Sequence, residues 1–114
     1  MAKITHDRVA LHVRNMWPFE ASNLYARGIC SLSTYRCIGY GVYSYDTTFP
    51  LYIYSIGDAK WYENSTISST TTERHLKEAR PDRPTILSPM YKMREFSEGV
   101  LTTMGIKPVY CLFI

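Results

Sequence analysis

The sequence has no apolar run of the roughly 18 residues that a membrane-spanning helix needs. Its N-terminal residues, MAKITHDRV, mix charged and apolar side chains and contain no hydrophobic signal core. We therefore expect no membrane anchor, no signal peptide and a cytoplasmic location. Cysteine is scarce, because Cys30, Cys37 and Cys111 form an odd set without CxxC spacing. This pattern predicts reduced thiols rather than a disulfide framework or a zinc site.

The common catalytic and ligand-binding motifs are also missing. No GxSxG or catalytic-cysteine pattern surrounds any serine or cysteine, and no HExxH or acidic cluster supports His6 or His12 as metal ligands. A glycine-rich loop with a following phosphate-binding lysine is absent. We therefore expect no metal, no cofactor and no enzymatic activity.

The bulk composition is that of one ordinary globular domain. A chain of 114 residues, 46% hydrophobic and 20% charged, fits a single domain over 1–114 and excludes disorder along the whole chain. The net charge of +3 and the isoelectric point near 8.8 attract polyanions weakly. The isoelectric point is below the value of about 9 that is typical of dedicated nucleic-acid-binding domains.

Tyrosine is abundant, with ten residues in the chain. Its ring is apolar and its hydroxyl forms hydrogen bonds, so a surplus suits half-buried strands and recognition surfaces equally well.

The N-terminal third predicts one helix and a connection. Apolar residues at three- and four-residue steps favour an amphipathic helix over 5–17 with Thr5 as N-cap, although the alternation of Val9, Leu11 and Val13 leaves a strand as the rival. Pro18 ends either element. The punctuated segment that follows, through residue 33, indicates an irregular packed connection.

The middle of the chain predicts an antiparallel meander. Residues 37–45 and 48–56 are rich in β-branched and aromatic side chains and favour two strands joined near Asp46. The second strand carries apolar side chains on both faces, so we expect it to be central, with Pro50 at its start or at an edge. After a turn at Gly57-Asp58, residues 59–63 predict a third strand that carries Trp61.

The C-terminal half predicts two helices and a final strand. In STISSTTTERH, Thr70 and Glu73 match a capping box, which favours a helix until Pro81. The polar run PDRPT predicts a loop, and the apolar spacing over 89–104 predicts an amphipathic helix capped by Ser88 and closed by Gly105. The apolar run at 109–114 predicts a buried strand. The fold class is thus α+β, with an antiparallel sheet of about four strands packed by an N-terminal and a C-terminal helix.

Two surfaces attract functional interpretations, each with a structural alternative. The hydroxyl-rich stretch before His75 suits anion binding at a helix start, but threonine caps are common and plain capping is favoured. Arg74, Lys77 and Arg80 form a basic stripe that also suits an ordinary solvated face. The tyrosines on neighbouring strands suit base stacking or a protein contact if they are exposed, and the core if they are not.

Several short motifs resemble a family of small uncharacterised proteins encoded by bacteriophages and plasmids. FEASNLYA at 19–26, VYSYDT at 42–47, a tryptophan and then the stretch from Ser69 to His75 match, in order, a VYSYGT-like strand and an STT-x-x-H-like helix start. Asp46 and Thr48 depart from the glycine and proline of that family, so we expect a different turn. The resemblance implies an origin in a mobile element and no particular activity. The shared residues suit either a site or the joint between helix and sheet, and the joint is favoured.

These observations favour a non-enzymatic phage-type accessory protein that binds and inhibits or redirects a host macromolecule, as an anti-defence inhibitor does. The expected partner is a host protein, and the alternative function is a nucleic-acid-binding module that uses the tyrosines and the basic helix. The oligomeric state is open, a homodimer included. The candidate binding residues are Tyr43, Tyr45, Thr47, Tyr52, Tyr54, Trp61, Thr71, Thr72, Arg74, His75, Lys77 and Arg80.

Overall fold

A computed structural model describes residues 2–45, 49–66 and 70–105, without the side chains of Thr70 and Thr71. Within these ranges the chain forms an α+β fold with a seven-stranded mixed sheet and three α-helices. The strands are β1 (Ala2–Lys3), β2 (Phe19–Ala21), β3 (Leu24–Cys30), β4 (Cys37–Ser44), β5 (Pro50–Ser55), β6 (Lys60–Asn64) and β7 (Thr85–Ser88). The helices are α1 (Val9–Arg14), preceded by a 3-10 turn (His6–Arg8), α2 (Thr70–Glu78) and α3 (Met90–Ser97).

The strands lie in the sheet in the same order as in the chain. The pairs from β2 to β6 are antiparallel, whereas β1 joins β2 and β7 joins β6 in parallel. The β4–β5–β6 meander confirms the prediction from the middle of the chain, with Pro50 as the first residue of the central strand β5.

The expected number of about four strands was too low. The segment taken as an irregular connection is a hairpin of β2 and β3, in which Ala21 pairs with Leu24 across a two-residue turn. Asn23 adopts a left-handed conformation there (φ 57°), which asparagine tolerates well in such turns. The predicted loop at 81–85 is followed by a strand that was not predicted, since β7 begins at Thr85, the last residue of that loop.

Helices cover both faces of the sheet. On one face, α1, α2 and the residue that follows α2 bury Val9, Val13, Leu76 and Ala79 against the sheet in one apolar cluster. On the other face, Met93 and Phe96 of α3 pack with Ile29 and Ile53. Both faces of the central strands are therefore withdrawn from water.

Three buried tyrosines of β4 and β5 connect the sheet to the elements that cover it. The Tyr40 hydroxyl donates to the carbonyl of Trp17, just after α1, at 2.8 Å, and the Tyr52 hydroxyl donates to the carbonyl of Leu76 in α2 at 2.7 Å. Tyr43 shares a hydrogen bond with the hydroxyl of Ser97 in α3. Each hydroxyl thus satisfies its hydrogen-bonding need inside the protein.

The N-terminal helix is shorter than predicted. It ends at Arg14, because Met16 turns into the left-handed region (φ 53°) and the Trp17 N–H donates back to the His12 carbonyl. Thr5 occupies the cap position of the 3-10 turn, but its hydroxyl bonds the Asp7 carboxylate and not the backbone.

The C-terminal helix is also shorter than predicted. Ser88 ends β7, Pro89 occupies the N-cap position, and α3 stops at Ser97. Gly99 ends it, because glycine readily adopts the left-handed conformation (φ 82°) found there. Val100 is consequently exposed rather than on a buried helix face.

Other predictions are settled only in part. α2 begins at Thr70, but the predicted capping box involves the Thr70 side chain, which is outside the described set. The predicted turn at 46–48 and the predicted strand at 109–114 also lie outside the described residues. Cys30 and Cys37 are exposed free thiols, and Cys111 lies outside the described residues. No helix among residues 2–45, 49–66 and 70–105 is long and apolar enough to cross a membrane.

Gly39→Ala is expected to destabilise the fold where the sheet meets α3. An added Cβ would meet the Tyr54 carbonyl oxygen at 2.4 Å and the Phe96 ring at 2.7 Å. Overpacking of this kind typically costs about 1–3 kcal/mol in unfolding free energy, measurable by urea denaturation. Gly28→Ala is the matched control, since its nearest contact would be 3.9 Å away. Equal losses in the two variants would contradict this close packing.

Candidate functional site

The joint between α2 and the sheet is built around His75. This residue is 4% exposed, and its Nδ1 lies 2.7 Å from the hydroxyl of the fully buried Ser44 at the end of β4. The centroid of the Tyr45 ring lies 5.9 Å from that of the His75 ring. The backbone of Tyr45 is in the left-handed region (φ 70°). A single histidine thereby fixes α2 against the last residue of β4.

A second histidine continues this joint towards the N-terminus. The His6 ring lies 6.0 Å from that of His75, and its Nδ1 pairs with the Glu78 carboxylate of α2. Its Nε2 lies 3.1 Å from the Ser22 carbonyl. The bond to Glu78 raises the pKa of His6, whereas burial lowers the pKa of His75.

The Ser44–His75 pair resembles a nucleophile and base in its separation but not in its accessibility. A catalytic hydroxyl must contact a substrate, and Ser44 has no exposed surface. Thr72, from the same hydroxyl-rich stretch, is also buried. The geometry therefore favours the joint between helix and sheet over a catalytic site.

The predicted tyrosine-rich face is divided between core and surface. Tyr43 and Tyr52 have no exposed surface, and burial raises the pKa of both hydroxyls. Tyr45 is 55% exposed, and Tyr54 is partly buried against Trp61, which is 3% exposed. The helices therefore cover the tyrosine rings of the central strands that a continuous base-stacking surface would need.

The predicted basic stripe is weakened by an acidic partner of Arg80. Arg74 and Lys77 are exposed on α2. Arg80 pairs with Glu63 of β6 at 3.1 Å and lies over the Tyr52 ring. The side chains of Thr47 and Thr71 lie outside the described set, so they are not placed.

An apolar surface that the sequence reasoning missed lies along the edge strand β7. Ile86 is 44% exposed and Leu87 is 66% exposed. Beside the start of the strand is a cavity of about 290 Å³, here called the Trp61 cavity. It is lined by Tyr54, Ala59, Lys60, Trp61, Arg83, Pro84 and Ile86. Two of the predicted binding residues, Tyr54 and Trp61, therefore meet here.

A second cavity, of about 400 Å³ and here called the Ser88 cavity, lies at the other end of the strand. It is lined by Lys60, Tyr62, Ile86, Leu87, Ser88, Pro89, Lys92, Met104 and Gly105. Lys60 and Ile86 line both cavities. We call Ile86, Leu87 and the two cavities together the β7 surface. The β-branched pair Thr85-Ile86 was the only sequence signal for this strand, and the neighbouring prolines obscured it.

The described part of the chain contains no group of three or more histidine, cysteine or acidic side chains placed to hold a metal ion. Comparison with known proteins finds no matching family model, curated protein or solved structure. The resemblance to phage and plasmid proteins therefore stays a prediction.

The two histidines of the joint are expected to give opposite pH dependences of stability. The pKa of His75 is lowered on folding, so its contribution is fully present above the unfolded pKa of about 6.5 and is lost as the pH falls. The pKa of His6 is raised, so its contribution is fully present below about 6.5 and is lost as the pH rises through the folded value.

Urea unfolding from pH 5 to 8 of His75→Gln and His6→Gln tests these signs. The difference in unfolding free energy from the wild type should grow with pH for His75→Gln and shrink with pH for His6→Gln. His12→Gln, which changes a half-buried histidine of α1 outside this joint, serves as the control. Parallel pH profiles for the two joint variants would contradict the assigned environments.

Proposed function

We propose that the protein is a non-enzymatic, phage-type accessory protein that binds a host protein and inhibits or redirects it. The β7 surface is the proposed contact. The observation that carries this proposal is an edge strand with exposed Ile86 and Leu87 beside two cavities. Soluble proteins usually protect such an edge with charges, a bulge or a covering element.

The position of β7 suits the addition of a partner strand. It is the last strand in the order of the described sheet, so one of its edges has no strand neighbour among the described residues. An extended segment that lies along such an edge gains main-chain hydrogen bonds, and pockets for alternate side chains supply specificity. The Trp61 cavity, beside the start of the strand, is the corresponding pocket.

The chemistry of the cavities favours a segment with both apolar and acidic residues. The Trp61 cavity offers the rings of Tyr54 and Trp61 to an apolar side chain. The charged residues that line the two cavities are Lys60, Arg83 and Lys92, all basic. Complementary charges steer association and select against basic partners.

A nucleic-acid-binding function is the alternative. Base stacking on the central strands is disfavoured because Tyr43 and Tyr52 are fully buried. The pairing of Arg80 with Glu63 also reduces the positive charge that α2 offers to phosphates. Binding to nucleic acid would weaken steeply with added salt, whereas burial of apolar side chains would not.

The partner is sought by affinity capture from host lysate with and without nuclease, followed by mass spectrometry. A protein that survives nuclease treatment is then purified, and its dissociation constant is measured at several salt concentrations. Retention of nucleic acid alone, with steep salt dependence, would replace the proposal by the alternative.

Leu87→Glu is expected to weaken binding of the purified partner by at least about tenfold, because burial of a leucine is worth about 1.5–3 kcal/mol. Leu87 is largely exposed, so the substitution should leave the fold intact. Leu11→Glu is the matched control, since Leu11 is 49% exposed on α1. Calorimetry measures the affinity of the partner for both variants. Equal affinities of Leu87→Glu and Leu11→Glu would show that the partner does not contact β7.

A further inference from the structure

The hydroxyl of Ser88 is the starting observation. Ser88 is 4% exposed, and its Oγ is the single buried side-chain nitrogen or oxygen in the described part of the chain without a hydrogen-bond partner. Buried polar atoms are nearly always hydrogen-bonded, because the loss of water costs free energy that only a new partner recovers. Ser88 lines the cavity that bears its name. This Oγ is covered in the free protein, so a ligand in that cavity becomes its partner when the serine side chain turns towards the cavity.

The N-terminus of α3 lies at the same cavity. Pro89 and Lys92, at its cap and in its first turn, both line the cavity wall. An α-helix leaves its first amides without intrahelical partners, and here the first such bond is from Met93 N–H to the Pro89 carbonyl at 3.3 Å. No side chain caps this end. The free amides and the helix dipole favour an anion.

The charges around the cavity point the same way. Lys60 and Lys92 line it, and none of its lining residues is acidic. The carboxylate of Asp58 lies next to Gly105, one of the lining residues. Its Oδ2 accepts hydrogen bonds from the Ser55 hydroxyl and from the amides of Met104 and Gly105. These donors offset its charge locally.

We propose that the Ser88 cavity binds a phosphate monoester. The phosphate would accept hydrogen bonds from the Ser88 hydroxyl and the first amides of α3, and the ammonium groups of Lys60 and Lys92 balance its double negative charge. The cavity, at about 400 Å³, has room for more than a phosphate group, and Ile86, Leu87 and Met104 give it an apolar wall for an organic body.

This site does not depend on the partner protein proposed above, because its ligand is recognised by the phosphate and a short apolar body. The test therefore needs only the isolated full chain and small phosphates. The probes are inorganic phosphate and phenyl phosphate, titrated against the ¹⁵N-labelled protein at constant ionic strength. Sodium chloride at the same ionic strength is the reference.

Phenyl phosphate is expected to shift the amide signals of Ser88, Met90, Tyr91 and Lys92 saturably, and to bind more tightly than inorganic phosphate. Amide shifts that match those caused by sodium chloride would overturn the anion site. Equal affinities for the two phosphates would overturn the assignment to a monoester.

Ser88→Ala is expected to weaken phenyl phosphate binding by about tenfold or more, because it removes a hydrogen bond to a charged group. The same variant should keep or raise the melting temperature of the free protein, since it removes a buried hydroxyl without a partner. Unchanged affinity, or a lowered melting temperature, would overturn the role of Ser88. Lys92→Met should also weaken binding, while Lys77→Met on α2 is the matched control and should not.

Discussion

The fold depends on hydrogen bonds that run from tyrosine hydroxyls of the central strands to the elements above and below. Tyr40 and Tyr52 reach the face covered by α1 and α2, and Tyr43 reaches α3 on the other face. A phenol buried without a partner would cost about 1–3 kcal/mol, so each ring specifies where its covering element must lie. Neighbouring positions on β4, such as Val42 and Tyr43, thus serve opposite layers of the domain.

This use of tyrosine limits the apolar surface that the sheet itself offers to a partner. With the central rings committed to the core, the exposed apolar groups of the sheet lie at its β7 edge. There Tyr54 and Trp61 pack together at 5.4 Å between ring centroids and open on one side into a cavity. The aromatic pair thus packs against the core on one side and lines the Trp61 cavity on the other. Binding at this edge, as proposed, would leave the packing of the helices undisturbed.

The sequence predicts the elements whose signals are local. The β4–β5–β6 meander follows from β-branched and aromatic runs, from Pro50 and from the Gly57-Asp58 turn. The β2–β3 hairpin was missed because its turn depends on the left-handed Asn23, which looked like loop punctuation. The length of α3 was wrong because the apolar spacing continues past Gly99, where the helix ends.

The sequence predicted those residues of the candidate site that lie within the meander, but not those that the pairing of β6 with β7 brings together. Tyr54 and Trp61 belong to the meander and were named, whereas Lys60, Ser88 and Lys92 meet only because β7 pairs with β6 in parallel. That pairing sets Asn64 opposite Ser88 across 24 residues of sequence, a distance over which no pattern in one chain carries information.

β7 departs from two independent rules within four residues. Its exposed Ile86 and Leu87 lie on an edge, where charges are usual, and its buried Ser88 hydroxyl has no partner within the described chain. Elsewhere the buried side-chain polar atoms of the described residues are satisfied. Departures from local rules in a folded protein concentrate at functional sites, because selection for stability alone removes them. The proposed partner segment along the edge of β7 and the proposed phosphate at its end would each remove one of these departures.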